Sequence, residues 1–186
     1  MRDTPSGASL GVLRLGQRSL ETYGAPYFTI HRADLHQVLL QKVQEDGAAS
    51  LSLQCEIDAV QDKGDHLEVH LQNQQIHGSE CLRPEALVGA DGLWSITRKN
   101  VLPSSEPRAT GMVAYRALLP MQSLPESLRT RDVTVWVGPK VHAVLYPIRG
   151  GDVLNLVVIV HRPSPEPLEG WDHAANKRDL ELAMGS

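Results

Sequence analysis

The sequence predicts a mixed α/β fold in two parts, an α/β part over residues 1–102 and an antiparallel β-sheet part over residues 108–186. Three observations predict it. Residues 33–45 carry one clear helical apolar period among several short strand-like runs. Residues 102–107 form a Pro/Ser-rich stretch that is typical of a linker. Beyond that stretch the pattern is mostly strands joined by short loops.

Composition excludes several classes of protein. The 186 residues, 41% of them hydrophobic and 22% charged, are ordinary for a globular chain. A net charge of -4 without a Lys/Arg stripe argues against a nucleic-acid partner. The longest apolar run, residues 156–160, is far below the ~20 residues of a membrane span. The start of the chain does not resemble a leader peptide, and the two cysteines form no disulfide framework, so the sequence predicts a cytoplasmic protein. Cys55 and Cys81 also lack the spacing of metal ligands, so no metal site is predicted.

A helix is predicted in the first part because apolar residues recur there at helical spacing, at Leu35, Val38, Leu39 and Val43. Its end is predicted where Gly47 follows an acidic residue. A hairpin is predicted at residues 63–65, between two alternating runs. The strands predicted for this part are residues 10–15, 51–53, 56–61 and 67–71, a short one near Ile76, and a buried one at residues 86–90.

The second part is predicted from four strand-like runs. They are residues 112–119, 133–137, 142–146 and 153–160. Because the connecting loops are short, the strands are expected to pair antiparallel. A helix is predicted over residues 171–184.

Residues 87–98 form the most informative motif. An apolar run reaches Asp91 between flexible glycines, and Ser95 and Arg98 follow about one helical turn apart. A carboxylate placed there accepts hydrogen bonds from sugar hydroxyls or amides, and a guanidinium offers a planar fork to phosphate. In the alternative interpretation Asp91 caps a helix near Trp94, and Arg98 is a surface cation.

Residues 27–40 read as a strand that leads into the helix, with Arg32 at the junction. A guanidinium there stays charged and bonds phosphate or hydroxyl oxygens bidentately. The alternative is an ordinary surface arginine at a helix start. Asp34 and His36 are interpreted as polar residues near the helix N-terminus, where a carboxylate also suits the helix dipole.

Three segments together resemble the FAD-dependent aromatic hydroxylases of the salicylate and 3-hydroxybenzoate hydroxylase type. They read His-Arg-Ala-Asp-Leu-His at residues 31–36, Val-Gly-Ala-Asp-Gly-Leu-Trp-Ser-Ile-Thr-Arg at 88–98, and Tyr-Pro-Ile-Arg-Gly-Gly at 146–151. The resemblance runs over nearly the whole chain. It implies a partial FAD-binding, Rossmann-like domain followed by a β-sheet substrate domain. It also implies FAD as cofactor, NAD(P)H as co-substrate, O2, and a small aromatic acid as substrate.

The resemblance assigns roles to single residues. Arg32, Asp91, Gly92 and Arg98 are expected to bind the cofactor. His142 matches a strand histidine that removes the phenol proton, a task for which histidine suits neutral pH. Tyr115 and Tyr146 are expected to line the ring pocket. The alternatives are a half-exposed strand histidine and two tyrosines that only pack.

Two segments of the resembling family are missing from this sequence. The Gly-x-Gly-x-x-Gly turn that holds a pyrophosphate is absent, since Gly7, Gly11 and Gly16 have the wrong spacing. The late Gly-Asp segment is absent too. The resemblance therefore implies an internal fragment that is inactive alone. The alternatives are a truncated, inactive product or pseudoenzyme of the same family, or a related flavoprotein that oxidises a non-aromatic substrate.

Overall fold

The computed structural model describes residues 1–73, 78–102, 107–163 and 174–184. The chain divides into two compact units. The first consists of Met1–Glu45 together with Ala109–Ser186, and the second is Asp46–Arg108. Among the described helices, none combines the length and the apolarity that crossing a membrane requires.

The first unit is built on a five-stranded sheet in the order β1-β6-β7-β8-β5. Its strands are β1 (Arg2–Asp3), β5 (Met112–Pro120), β6 (Thr134–Gly138), β7 (Val141–Ile148) and β8 (Val153–His161). β1 runs parallel to β6, and the other pairs are antiparallel. The four strands predicted from residues 112–160 are therefore confirmed, as is their antiparallel pairing.

Most of the core of this unit lies on one face of the sheet, around β8, while Ile148 at the end of β7 is buried on the other face. Leu154, Val158 and Val160 are buried on the first of these faces, with at most 5% of each residue exposed. Since directly paired residues point to the same face, Tyr115 and Ala143 share the face of Val158. β8 is an almost continuous apolar run and lies between β7 and β5 in the sheet.

Three described helices belong to the first unit, α1 (Gly16–Tyr23), α2 (Arg32–Asp46) and α4 (Lys177–Met184). α2 confirms the helix predicted at residues 33–45. α1 was not predicted, and it ends on Gly24, which takes the left-handed conformation with φ 69°. The strand predicted at residues 10–15 is wrong, since those residues form no regular element. Of the helix predicted at 171–184, residues 171–173 lie outside the described residues.

The second unit contains a three-stranded antiparallel sheet in the order β2-β3-β4, and one short helix. Its elements are β2 (Cys55–Asp62), β3 (Leu67–Asn73), β4 (Gly78–Leu82) and α3 (Ile96–Val101). The predicted hairpin is confirmed: the Lys63 N–H donates to the His66 carbonyl, and Gly64 takes φ 93°. The strand predicted near Ile76 falls at residues 74–77, outside the described residues, and β4 follows from Gly78.

Two predicted strands of this unit are wrong. Residues 86–90 and 51–53 form no regular element, and Val88 is 88% exposed. Both stretches were predicted as strands from their patterns: residues 86–90 are an apolar run, and in residues 51–53 apolar and polar residues alternate. A strand also needs a neighbour to share its backbone hydrogen bonds, and no described strand pairs with either stretch.

The two compact units differ from the two predicted parts in one respect. A unit boundary does fall close to the predicted linker, of which residues 103–106 lie outside the described residues. Residues 1–45, however, group with the C-terminal sheet. β1 adds to that sheet beside β6, and the Thr29 hydroxyl donates to the Pro147 carbonyl at 2.5 Å. Such contacts join residues more than a hundred positions apart, which sequence patterns do not show.

Candidate functional site

Asp91 lies at the tip of the turn before α3, and both of its carboxylate oxygens are engaged. The Ser95 hydroxyl donates to Oδ1 at 2.5 Å, and the Thr97 backbone N–H donates to Oδ2 at 3.0 Å. The Ser95 hydroxyl, followed by the Thr97 N–H, lowers the pKa of Asp91 to about 2. The carboxylate is therefore ionised at neutral pH.

The same turn caps α3. Ser95 is the N-cap residue, and its hydroxyl oxygen accepts from the Arg98 backbone N–H at 2.9 Å. The Arg98 guanidinium donates to the Leu93 carbonyl at 2.6 Å. Asp91 thus takes part in the capping role that the alternative interpretation predicted. Its cofactor role stays a prediction, and since a carboxylate has about four lone-pair sites, further donors can still bind it.

Two glycines shape this turn for different reasons. Gly92 takes φ 76°, in the left-handed region that favours glycine. At Gly89 the reason is close packing, because a Cβ there would lie 2.8 Å from the Thr97 methyl carbon. Ser95 and Thr97 are the buried polar residues of this turn. Sequence reasoning missed Thr97. Its position two residues after the N-cap serine, where a helix N–H has no partner within the helix, could have indicated that it binds the Asp91 carboxylate.

A second polar cluster joins the start of α2 to the turn after β7. Arg149 donates to both carboxylate oxygens of Asp34, from Nε at 2.9 Å and from Nη2 at 2.8 Å. This bidentate contact lowers the pKa of Asp34 and raises that of Arg149. Arg149 itself has φ 51°, which is unusual for a residue other than glycine. Sequence analysis placed Asp34 near the helix N-terminus but missed its partner. Arg32 is exposed, on the first turn of α2.

The sheet face opposite the core carries the predicted base. Along β7, His142 and Tyr146 point the same way because they are four residues apart. Tyr146 pairs directly with Asn155 on β8, which places Asn155 on the same face. The Asn155 amide nitrogen is buried, with no hydrogen-bond partner among the described residues.

Tyr115 lies on the other face of this sheet. Its pair on β8 is the buried Val158, and its hydroxyl accepts a hydrogen bond from Arg162. The structure therefore brings the predicted base His142 and the predicted pocket residue Tyr146 to one face, and the other predicted pocket residue, Tyr115, to the opposite one. Asn155 was not among the residues predicted for the site. The amide's place opposite Tyr146 depends on strand register.

The open face combines an imidazole, a phenol and an unpartnered amide. Ile159, Val157 and Val144 lie among them on the same face. A largely apolar sheet face with a few hydrogen-bonding groups and one arginine, Arg116 opposite Val157, suits a planar ring that carries polar substituents.

Known proteins resemble this chain in sequence over most of its length. The profile of the family described as "FAD binding domain" matches residues 10–176. The chain is 36% identical over 156 residues to 3-hydroxybenzoate 6-hydroxylase 1 of Aquipseudomonas alcaligenes, covering 84% of this chain and 38% of that protein. It is 30% identical over 184 residues to 3-amino-4-hydroxybenzoate 2-monooxygenase of Streptomyces cremeus, covering 99% of this chain and 43% of that protein.

Solved structures share the fold. A salicylate hydroxylase in complex with its substrate superposes with a TM-score of 0.65 at 19% identity, covering 84% of this chain and 40% of that one. The chain thus spans about two fifths of the length of these proteins, 38% to 43%.

Proposed function

We propose that this chain, which belongs to the FAD-binding-domain family, is part of a flavoprotein monooxygenase that acts on a small aromatic acid. The family match confirms the resemblance read from residues 31–36, 88–98 and 146–151. FAD is the cofactor of this family. NAD(P)H as co-substrate, O2 and an aromatic acid such as salicylate or a hydroxybenzoate belong to the proposal. The names of the curated relatives support that substrate class.

The observation that carries the proposal is the open sheet face with His142, Tyr146 and Asn155. A buried amide nitrogen without a partner is costly unless a ligand or water accepts from it. A carboxylate or hydroxyl on a ring placed against this face would supply that acceptor. His142, on the same face, would then accept the proton of a ring hydroxyl, which makes the ring richer in electrons and easier to oxygenate.

The residues predicted for the cofactor fit FAD in their chemistry. Arg32 presents an exposed guanidinium on the first turn of α2, which suits a phosphate. Asp91 is ionised and exposed, so it accepts from hydroxyl groups. A Cβ on Gly92 would meet no atom within 4 Å, so the backbone there is open to close approach.

Arg98 is the fourth of these residues. Its Nη2 donates to the Leu93 carbonyl, and its other N–H groups extend the set of donors near the turn. FAD, when bound, would supply the oxygen-transfer chemistry, and each of these residues would offer it a contact of the kind described.

The test is an assay of a complete hydroxylase that contains these 186 residues. Salicylate, 3-hydroxybenzoate and a non-aromatic acid of similar size are supplied in turn with NADH or NADPH. Product formed and NAD(P)H oxidised are measured together. We expect a hydroxylated product from at least one aromatic acid and none from the non-aromatic acid. Oxidation of the non-aromatic acid alone, or flavin binding without any turnover, would overturn the proposal.

A further inference from the structure

Three side chains with metal-binding atoms meet on one face of the β2-β3-β4 sheet. Glu68 and His70 are two residues apart on β3, so they point to the same face. Cys81 on β4 is the direct partner of His70 in the ladder. One ligand atom from each of the three lies within 4.8 Å of the other two.

His70 and the nearby His66 each have one ring nitrogen without a described hydrogen-bond partner. The Nε2 atoms of His70 and His66 are both buried, and neither has a hydrogen-bond partner among the described residues. His66 is oriented by Asp65, whose carboxylate lies 2.7 Å from its Nδ1, and its Nε2 lies 3.8 Å from Glu68. A carboxylate on one imidazole nitrogen, with the other directed at further ligands, is the arrangement that supports metal-bound histidines.

We propose that Glu68, His70 and Cys81 form a binding site for a divalent ion of the zinc class. Zinc takes thiolate, imidazole and carboxylate ligands together, whereas magnesium and calcium prefer oxygen alone. With bonds of about 2.0–2.3 Å, tetrahedral ligand atoms lie roughly 3.3–3.7 Å apart, so small side-chain rotations close the present spacing. The fourth position is left to water or to His66, whose Nε2 lies 3.8 Å from Glu68.

Two cations oppose the metal and set how tightly it binds. Lys63 lies 3.2 Å from one carboxylate oxygen of Glu68, and Arg83 lies 3.1 Å from the other. Both carboxylate oxygens of Glu68 are thus paired with a cation, and a metal ion would have to compete with these two contacts. The same charges repel a divalent ion. Replacing Arg83 by glutamine should therefore tighten metal binding.

The site was not visible from the spacing of residues along the chain. Cys81 lies eleven positions after His70, which matches no metal motif. Strand register makes them neighbours, because residue numbers in the β3–β4 ladder sum to a constant. The proposal thus departs from the prediction that the chain has no metal site.

The first test is a titration of the full chain with Co²⁺, a spectroscopic substitute for Zn²⁺. We expect one equivalent to bind with a thiolate charge-transfer band in the near ultraviolet, and Zn²⁺ to displace it. Cys81→Ser should remove the band, whereas Cys55→Ser, at the other free cysteine, should leave it intact. His70→Ala should weaken binding at least tenfold, and His161→Ala, at the exposed end of β8, should not.

A second test needs no substitution and so does not depend on how any variant folds. Iodoacetamide is added to the folded chain with and without Zn²⁺, and alkylation of each cysteine is followed by mass spectrometry. Zn²⁺ should slow alkylation of Cys81 at least tenfold and leave that of Cys55 unchanged. Equal alkylation of Cys81 in both samples, or a cobalt band that survives Cys81→Ser, would overturn the proposal.

Discussion

The turn before α3 and the open face of the five-stranded sheet hold their polar groups in opposite ways. At the turn, both carboxylate oxygens of Asp91 bind groups of the following helix, within six residues along the chain. On the sheet face, the Asn155 amide nitrogen has no partner among the described residues, and His142 lies beside aliphatic side chains. Both regions carry motifs of the family, yet only at the turn do nearby residues supply hydrogen-bond partners for the polar group.

This difference separates support of the fold from availability to a ligand. A polar group that is already paired contributes to stability, and removing it costs folding free energy. A buried polar group without a partner costs folding free energy, and a ligand that supplies the missing acceptor removes that cost. We therefore expect substitutions at the turn to lower stability and substitutions on the sheet face to lower catalysis.

The largest effect is expected for His142→Ala in a complete hydroxylase that contains this sequence. Loss of a general base typically costs roughly 10²–10⁴-fold in rate. Flavin reduction should continue, so NAD(P)H is consumed with little hydroxylated product. The measurement is product formed per NAD(P)H oxidised, with His161→Ala as the matched strand histidine. The defect should shrink at high pH, where the phenol ionises unaided. An unchanged ratio at neutral pH would show that His142 is only a strand residue.

Gly89→Ala should give the largest loss of stability at the turn. The new Cβ would lie 2.8 Å from the Thr97 methyl carbon, and such overpacking typically costs about 1–3 kcal/mol. Urea unfolding of the full chain measures the change. Gly11→Ala is the control, since a Cβ there would meet no atom within 4 Å. Equal midpoints for both variants would mean that the turn adjusts without cost.

Asp91→Ala should have a smaller effect, with a defined pH dependence. Loss of a helix-capping side chain costs about 0.5–2 kcal/mol. The folded pKa of about 2 lies below the ordinary value of 3.8, so the stabilisation is present above pH 3.8 and is lost as pH falls toward 2. The difference between wild type and variant should therefore vanish in acid. Thermal melts at several pH values test this.

The complete enzyme distinguishes the two roles of Asp91. If its carboxylate also serves the cofactor, Asp91→Ala should lower flavin content more than its loss of stability explains. Gly89→Ala is the matched comparison, because it perturbs the same turn without removing the carboxylate. Equal flavin content in the two variants would leave Asp91 as a helix cap alone.

The sequence predicted those parts of the fold that depend on near neighbours. Helix α2, the hairpin at Gly64 and four strands of the large sheet follow from apolar periodicity and turn residues, which are local properties. The strand predicted from the apolar run at residues 86–90 is wrong, because an apolar run does not show whether a neighbouring strand is present to pair with it. Of the candidate site, the residue types could be predicted, but not which of them share a face. Tyr115 and Tyr146 look alike in sequence, and only register separates them.

Asp34→Asn should have the smallest effect, and it tests a contact that joins residues 115 positions apart. Both side chains are partly exposed, so solvent and salt weaken the pair. We expect a slightly lower melting temperature, and the difference from wild type should disappear at high salt. Because Arg149 lowers the pKa of Asp34 below its ordinary value, the difference should also disappear as pH falls through that lowered pKa.

Arg149→Gln and Arg149→Gly complete this comparison. Both remove the ion pair, but only glycine relieves the positive φ of 51°. The glycine variant should therefore melt above the glutamine variant. In the complete enzyme either change should affect catalysis less than His142→Ala, since Arg149 already has its partner. A rate loss as large as that of His142→Ala would mean that paired groups, too, serve the substrate, and the distinction between the two regions would fail.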